Sequence, residues 1–281
     1  CQTVTEALGL ALPGSAACVA VSAEMLRVSE MTGRRAVGLI EENVCARDII
    51  TKKSIENAIH VLMACGGSTN LLIHLKAIAR RAGIPLDLME FDRISNETPL
   101  LVNVKPHGQY PVGEFGRAGG VRAVMKELAP LLHGDCLTVS GRTVAENLAS
   151  AETAFNREVI RPFDDPILPY GGISVLRGNL APGGAVVKRS AASAHLLKHR
   201  GPARVFDDLA EAEKYLLDEN NDMTWDTVIV LRGYGPKGAP GMPEFGNYLP
   251  IPKKLYRQGV KDFVRITDSR MSGGAFGTVI L

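Results

Sequence analysis

The sequence predicts an α/β protein built in two parts, and three observations lead to this prediction. Residues 1–155 carry apolar residues mainly at helical spacing, with short apolar runs between the helical segments. From about residue 156 the apolar runs become short and β-rich, and Gly, Pro and Asp separate them. Segment 156–170 places prolines among charged residues, which is typical of a linker. We therefore expect an N-terminal α/β layered domain at 1–155 and a β-rich C-terminal domain at 171–281.

Helices are predicted in the first part from TVTEALGLAL, SAEMLRVSEMTG and SIENAIHVLMA. The clearest helix covers 68–81, where Ser68 or Thr69 can cap the start and Gly83 can end it. Its apolar positions recur at helical spacing: Leu71, Leu72, Leu75 and Ile78. The segment GRAGGVRAVMKELAPLL predicts one more helix, punctuated by glycines.

Strands are predicted in the second part from six short runs bounded by turn residues. These runs are ISVLRGNL, AVVKRS, ARVFDD, DTVIVLRGYG, DFVRITD and GTVIL. One helix interrupts them, at DLAEAEKYLLD.

Charge and composition exclude several classes of protein. The net charge of +2, from 32 basic and 30 acidic residues, gives no electrostatic basis for binding a nucleic acid or a membrane surface. No apolar run approaches the ~18 residues of a membrane-spanning helix. The first residues also lack the basic start and long apolar stretch of a signal peptide. We therefore expect a cytoplasmic protein with small-molecule ligands.

The five cysteines are widely spaced and form no CxxC pair, so neither a disulfide framework nor a self-contained zinc site is predicted. Cys65 differs from the others because it lies beside two glycines in MACGGSTN, at the expected start of the helix at 68–81. Backbone N–H groups and the helix dipole would favour a thiolate there, which suits a nucleophile or a metal ligand. A small buried residue in a tight turn is the alternative, and the residues alone leave both open.

Glu244 lies in GYGPKGAPGMPEFGNYLPIPKKL, a segment too rich in Gly and Pro to be a helix or a strand. Such a loop can approach a ligand closely and present one carboxylate to it. Composition alone favours the other interpretation, a surface loop with a solvated glutamate.

Ser272 lies in VRITDSRMSGGAFGTVIL, where an apolar run leads into a polar, glycine-flanked turn. A hydroxyl in this position can face a substrate, although an ordinary β-turn has the same composition. No GxSxG elbow and no HExxH motif is present, so a hydrolase triad and a zincin site lack support. His60 and His74 are instead expected on helix faces.

Taken together, these segments resemble the family of dihydroxy-acid, phosphogluconate and sugar-acid dehydratases. The similarity covers nearly the whole chain, through EALGLALPG, CGGSTN, FGRAGGV, LTVSG, GGISVLRGNLAPGGAVVK, GPKGAPGMPE and TDSRMSGG, in the family order. The resemblance implies an N-terminal α/β domain followed by a β-barrel-like swivelling domain. It also implies an active site between the domains and between the subunits of a homodimer or homotetramer. The chain resembles a fragment that lacks the N-terminal part and the C-terminal end.

The resemblance further implies an iron–sulfur cluster, with [2Fe–2S] favoured over [4Fe–4S], and a Mg²⁺ ion. Cys65 in CGGSTN matches the last of three cluster cysteines, and the other two would lie upstream of residue 1. Cys1 falls several residues beyond the second cluster cysteine and is not expected to be a ligand. Glu244 in PGMPE matches the metal-binding glutamate, and Ser272 matches the catalytic serine. The family's upstream acidic ligands and its modified lysine have no counterpart in this chain.

The implied reaction is the dehydration of a sugar acid to a 2-keto-3-deoxy sugar acid. Ser272 would remove the proton from C2, Mg²⁺ at Glu244 would stabilise the enolate-like charge, and the cluster would act as a Lewis acid on the 3-hydroxyl.

Two alternatives remain open for the function. PEFGNYLPIPKK and DSRMSGGAFGTVIL resemble the sugar-acid branch, of the arabinonate or xylonate type, more than the branched-chain branch with its DGRFSGG. A dihydroxy-acid dehydratase of branched-chain amino-acid biosynthesis is the first alternative. The second is an inactive structural or binding fragment, because the upstream ligands are missing.

Overall fold

The structure, a computed structural model, describes residues 1–235, 237–238, 249–271 and 276–281. The chain divides into two compact units. The first comprises Cys1–Gly67 and Leu71–Gly172, and the second comprises Ser68–Asn70 and Ile173–Leu281. None of the helices in the described ranges has both the length and the apolar composition needed to cross a membrane.

The first unit is built from helices. In chain order they are α1 (Gln2–Ala7), α2 (Ala23–Glu41), α3 (Ala46–Ile49), α4 (Lys52–Ala64), α5 (Asn70–Arg81), α6 (Leu88–Glu97), α7 (Val112–Arg117), α8 (Gly120–Glu127) and α9 (Val144–Ala149). The first residue of α5 belongs to the second unit.

The first unit departs from the α/β layering that the sequence predicts. Its described residues form isolated single-residue bridges, such as Leu100↔Leu168 and Val102↔Ile160, and no strand. The reason is visible at the apolar run after α6, where the N–H groups of Leu101 and Val102 both donate to the carbonyl oxygen of Ala64. This run therefore meets the end of a helix instead of a neighbouring strand.

Helix α4 is the centre of the first unit. Thr51 and Ser54 form a capping box at its start, and every residue of α4 from Asn57 to Ala64 is buried. Helices α1, α6 and α8 contact it. A helix that is buried on all sides has a fixed position, so the residue at which it ends is also fixed.

The second unit contains a six-stranded mixed sheet in the order β1-β2-β6-β5-β4-β3. Strands β3 to β6 are parallel, whereas β1 with β2 and β2 with β6 are antiparallel. Each of the six β-rich runs of the sequence supplies one strand. The strands are β1 (Ser174–Leu176), β2 (Ala185–Val187), β3 (Ala203–Phe206), β4 (Val228–Leu231), β5 (Arg265–Thr267) and β6 (Val279–Ile280). This topology does not by itself establish the barrel that the resemblance implies.

Two helices of the second unit pack with the sheet. Helix α10 (Leu209–Leu217) is the helix predicted from DLAEAEKYLLD, whereas α11 (Lys253–Arg257) was not predicted. Ala212, Leu216 and Leu255 from these helices share one apolar core with strand residues that include Ile229 and Val279. Burying the apolar side chains of α10, α11 and the sheet together is what stabilises this unit.

Segment 156–170 packs into the first unit. Val159 and Ile160 are fully buried, and the N–H of Arg161 donates to the carbonyl oxygen of Leu101. The compact units consequently separate after Gly172. The division into domains at 155 and 171 stays a prediction.

Candidate functional site

Cys65 lies at the carboxyl end of α4, whereas the sequence placed it at the amino end of the next helix. Its N–H donates to the carbonyl oxygen of Val61 at 3.0 Å, and α5 begins only at Asn70. The carboxyl end of a helix carries partial negative charge, which disfavours a thiolate. The expected stabilisation of a Cys65 thiolate by a helix amino end is therefore wrong.

Loss of hydration dominates the chemistry of the Cys65 thiol. It raises the pKa of this thiol to about 12. The thiol is therefore protonated at neutral pH, which argues against a free nucleophile. A metal ion that binds the sulfur displaces this proton, so the environment is compatible with a metal ligand.

The two glycines that follow Cys65 are required by close approaches. Gly66 has φ +56, and a Cβ added to it would lie 2.6 Å from Cε1 of His107. A Cβ on Gly67 would lie 2.5 Å from Cδ1 of Leu62. The imidazole of His107 is held in turn by a 2.9 Å contact from Nε2 to the carbonyl oxygen of Val102. The CGG sequence thus forms a turn with no space for larger residues.

The sulfur of Cys65 is one possible metal ligand, but the described residues around it do not complete a ligand set. In the parts of the chain that the structure describes, no group of three or more His, Cys, Asp or Glu residues could hold a metal ion. A thiol fits the chemistry of an iron–sulfur cluster ligand. The further donors that the cluster needs are not assembled by the described residues.

Glu244 and Ser272 both lie outside the described residues. Their predicted roles as metal ligand and catalytic serine therefore stay predictions. The residues that lead to Ser272 are described, and they form hydrogen bonds with their neighbours. The N–H of Ser269 donates to Oγ1 of Thr267 at 3.1 Å, and Oδ1 of Asp268 accepts from the N–H of Tyr234 at 3.0 Å.

Thr69 and Asn70, which belong to the second unit, hold the two residues that precede Ser272. The hydroxyl of Thr69 donates to the carbonyl oxygen of Met271 at 2.9 Å. With its oxygen toward Arg270, the Asn70 amide accepts from Nη1 of Arg270 and donates to the carbonyl oxygen of Met271, each at 3.1 Å. The motifs CGGSTN and SRMSGG therefore meet at residues 69–70 and 270–271.

Asp262 holds the residues that follow the SRMSGG motif. Its buried carboxylate accepts from the N–H of Thr278 at 2.9 Å, from the Thr278 hydroxyl at 2.7 Å and from Nη2 of Arg265 at 3.1 Å. It also accepts from the N–H of Ser193 at 3.3 Å. The Arg265 guanidinium lies 4.8 Å from the centre of the Phe263 ring. Burial lowers the pKa of Arg265, and the adjacent Asp262 opposes that shift.

Sequence reasoning missed the roles of Thr69 and Asp262. Thr69 was considered only as a helix cap, and its partner is distant in the sequence. Asp262 is the first residue of the predicted run DFVRITD and looks like a turn residue. Both roles depend on tertiary contacts, so the only available signal was the presence of a short polar side chain beside a motif.

Comparison with known proteins finds two family models that together cover most of the chain. Residues 1–147 match the N-terminal model of dihydroxy-acid/6-phosphogluconate dehydratases, and residues 158–281 match the C-terminal model. The chain is 48% identical over 281 residues to an L-arabonate dehydratase of Azospirillum brasilense, covering 99% of the chain and 48% of that protein.

Two further relatives show a similar level of identity. An L-arabinonate dehydratase of Rhizobium leguminosarum is 47% identical over 278 residues, covering 98% of the chain and 48% of that protein. A dihydroxy-acid dehydratase of Sulfurisphaera tokodaii is 46% identical over 282 residues, covering 99% of the chain and 49% of that protein. The chain therefore spans about half the length of the curated relatives it matches.

Proposed function

Because the chain belongs to the dihydroxy-acid/6-phosphogluconate dehydratase family, we propose that the full-length protein is a hydro-lyase. We further propose that its substrate is an aldonate and its product a 2-keto-3-deoxy sugar acid. The observation that carries the proposal is the match of both family models in order along one chain. Identities of 48% and 47% to two arabinonate dehydratases support the choice of substrate class.

Three residues carry the proposed roles. Ser272 is the base that removes the C2 proton, Glu244 is a ligand of Mg²⁺, and Cys65 is a cysteine ligand of the iron–sulfur cluster. The protonated, partly buried thiol of Cys65 supports a role as ligand over one as nucleophile. The cluster would be [2Fe–2S], as the resemblance implies.

The reaction transfers a proton from C2 to the oxygen of Ser272. Hydroxide leaves C3 with the electrons of the C3–O bond and becomes water on taking up a proton, and the enol that remains tautomerises to the 2-oxo acid. A serine oxygen is a weak base unless a cation stabilises its alkoxide. If bound, a metal ion held by Glu244 and a cluster held in part by Cys65 would supply the positive charge that this chemistry needs.

A dihydroxy-acid dehydratase is the second candidate function. It is favoured by the relative in Sulfurisphaera tokodaii, whose identity of 46% is close to that of the sugar-acid enzymes. The two candidates differ in the substituents at C3 and beyond. Turnover of L-arabinonate compared with 2,3-dihydroxyisovalerate separates them, and a preference for the second compound would overturn the aldonate assignment.

An inactive structural or binding fragment is the third candidate, because the described residues assemble no complete metal site. The test is anaerobic purification of the full-length protein, followed by visible absorption, iron analysis and an assay with a panel of sugar acids. An iron-loaded protein that dehydrates an aldonate supports the enzyme. A protein that takes up no iron and turns over no acid would support the fragment.

The remaining features are proposed from the family resemblance. The second unit would correspond to the β-barrel-like swivelling domain, and the active protein would be a cytoplasmic homodimer or homotetramer. Light scattering of the purified protein measures the oligomeric state, and a monomeric active enzyme would contradict a site shared between subunits.

A further inference from the structure

Thr69 contacts the peptide group that joins Met271 to Ser272. Its hydroxyl donates to the Met271 carbonyl oxygen at 2.9 Å, and both residues are buried, at 4% and 0% exposure. That carbonyl and the amide nitrogen of Ser272 belong to one planar peptide unit. A single hydrogen bond therefore restrains the peptide plane that leads directly into Ser272.

The hydroxyl of Thr69 is not used as a helix cap. It acts as a donor to Met271, whereas the oxygen that accepts from the N–H of Asn70, at 3.3 Å, belongs to Ser68. Capping would require the Thr69 oxygen to accept a bond from the first turn of α5. Its contact therefore serves the segment that precedes Ser272.

Neighbouring hydrogen bonds also hold residues before and after Ser272. Asn70 binds Arg270 and the same Met271 carbonyl oxygen. After the motif, Asp262 binds the N–H and hydroxyl of Thr278. Buried hydrogen bonds therefore hold the backbone at Met271, before residues 272–275, and at Thr278, after them.

We propose that Thr69 is a positioning residue for Ser272, an inference that rests on the proposed role of Ser272 as base. Thr69 acts through the Met271 carbonyl and restrains the backbone that leads into the base. The CGGSTN motif then has two functions, a cluster ligand at Cys65 and an anchor for the base at Thr69.

The test uses Thr69→Val in the full-length protein, because valine keeps the shape of threonine and removes the donor. We expect kcat per cluster to fall about tenfold, since a displaced base loses its alignment. KM and iron content should stay at the wild-type level. The isotope effect with C2-deuterated substrate should rise, because proton removal then limits turnover more strongly.

Three further variants complete the test. Thr69→Ser keeps the hydroxyl and should restore kcat and the isotope effect to near wild-type values. Thr69→Ala removes the same donor with a smaller side chain and replaces Thr69→Val if that variant does not fold. Ser68→Ala is the matched control, since it removes the adjacent hydroxyl that has no contact with Met271.

The outcomes separate this inference from the function on which it rests. If the wild-type protein dehydrates no aldonate or dihydroxy acid, or if Ser272→Ala retains wild-type exchange at C2, the proposed function and this inference both fail. If Ser272→Ala is impaired while Thr69→Val keeps wild-type kcat and isotope effect, only the positioning role of Thr69 is overturned. A stability defect alone would lower the folded fraction and leave the isotope effect unchanged, which also overturns the positioning role.

Discussion

The Cys65 thiol holds its proton at neutral pH, and this single property separates two chemistries that the sequence left open. Loss of hydration raises its pKa to about 12, and the carboxyl end of α4 adds no stabilisation of a thiolate. A nucleophile in this place would be almost entirely protonated. A metal ligand would not, because metal binding competes with the proton.

We expect Cys65→Ser in the full-length protein to lower iron content and dehydratase activity together. A hydroxyl is a poor replacement for a thiolate at iron. Iron analysis and turnover measured on the same preparation check this. Cys1→Ser is the control and should bind iron normally, since Cys1 is not expected to be a ligand. A full cluster with normal turnover in Cys65→Ser would remove Cys65 from the site.

His60 should make stability depend on pH in the acidic range. Burial lowers its pKa to about 4, from 6.5 in the unfolded chain. The unfolded state therefore binds more protons between these values, and stability falls as the pH drops from 6.5 to about 4. The loss is at most about 3 kcal/mol.

Urea denaturation at a series of pH values measures the His60 effect. His60→Gln should flatten the pH dependence in this window, because the titrating group is gone. His74→Gln, on the exposed face of α5, is the matched control and should keep the wild-type slope. Nδ1 of His60 lies 2.7 Å from the Thr98 hydroxyl, and because this hydroxyl donates to the carbonyl oxygen of Ile94, the Nδ1–H of His60 is the donor in the contact. An unchanged slope in His60→Gln would show that another group titrates.

At the scale of single elements, the cost of a substitution in a turn depends on tertiary contacts that the sequence pattern does not show. Gly66 and Gly83 both have positive φ, +56 and +75, but only Gly66 faces a neighbour. A Cβ on Gly66 would meet the His107 ring, whereas a Cβ on Gly83 would meet nothing within 4 Å.

We expect Gly66→Ala to destabilise the protein by about 2–3 kcal/mol, from backbone strain and from the clash with His107. Gly83→Ala isolates the strain and should cost only about 1 kcal/mol. The unfolding free energies of the two variants in urea are the measurement. Equal losses would mean that the His107 ring moves away at little cost.

Asp262→Asn should be among the most destabilising substitutions in the second unit. The side chains of Asp262 and Arg265 are only 1% and 7% exposed, so the variant leaves a buried guanidinium without its counter-charge. Breaking such a pair costs about 3–5 kcal/mol. Asp207→Asn breaks the exposed pair with Arg232 and should cost less than about 1 kcal/mol. Thermal or urea unfolding compares them, and similar losses would contradict the anchoring role of Asp262.

Strands were easier to predict than the ends of helices. The six β-rich runs all supply strands, because alternation and turn residues are local signals. The predicted helix at 68–81 begins two residues before α5, which starts at Asn70. The same local reasoning put Cys65 at the wrong end of a helix. Tertiary packing decides whether an apolar run such as Leu100–Val104 pairs with a second strand.

For the molecule as a whole, the proposed mechanism assigns different roles to Ser272 and Glu244. Ser272→Ala should reduce turnover by about a hundredfold or more, with cluster, metal and substrate binding nearly intact. Glu244→Gln should instead weaken Mg²⁺ affinity, and added Mg²⁺ should recover part of the activity. Exchange of the C2 hydrogen with solvent deuterium is the measurement. Exchange at the wild-type rate in Ser272→Ala would show that Ser272 is not the base.

The sequence motifs identify the family but not the assembly of the site. CGGSTN and TDSRMSGG are contiguous blocks, so one sequence is enough to recognise them. The hydrogen bond from Thr69 to Met271 and the network around Asp262 bring together residues from distant positions, and no local pattern predicts them. The preference for an aldonate depends on side chains that would contact the sugar hydroxyls, and their geometry is not encoded in the motifs.

Strand β6 is the last of the described strands in the chain, yet it lies inside the sheet, between β2 and β5. Until Val279 and Ile280 pair with their neighbours, β1–β2 and β5–β4–β3 are two separate ladders with open edges. On a ribosome these two residues emerge after the other described strands of the sheet. The two ladders therefore stay separate during synthesis until β6 is made, and the edges of β2 and β5 are exposed to incorrect pairing for that interval.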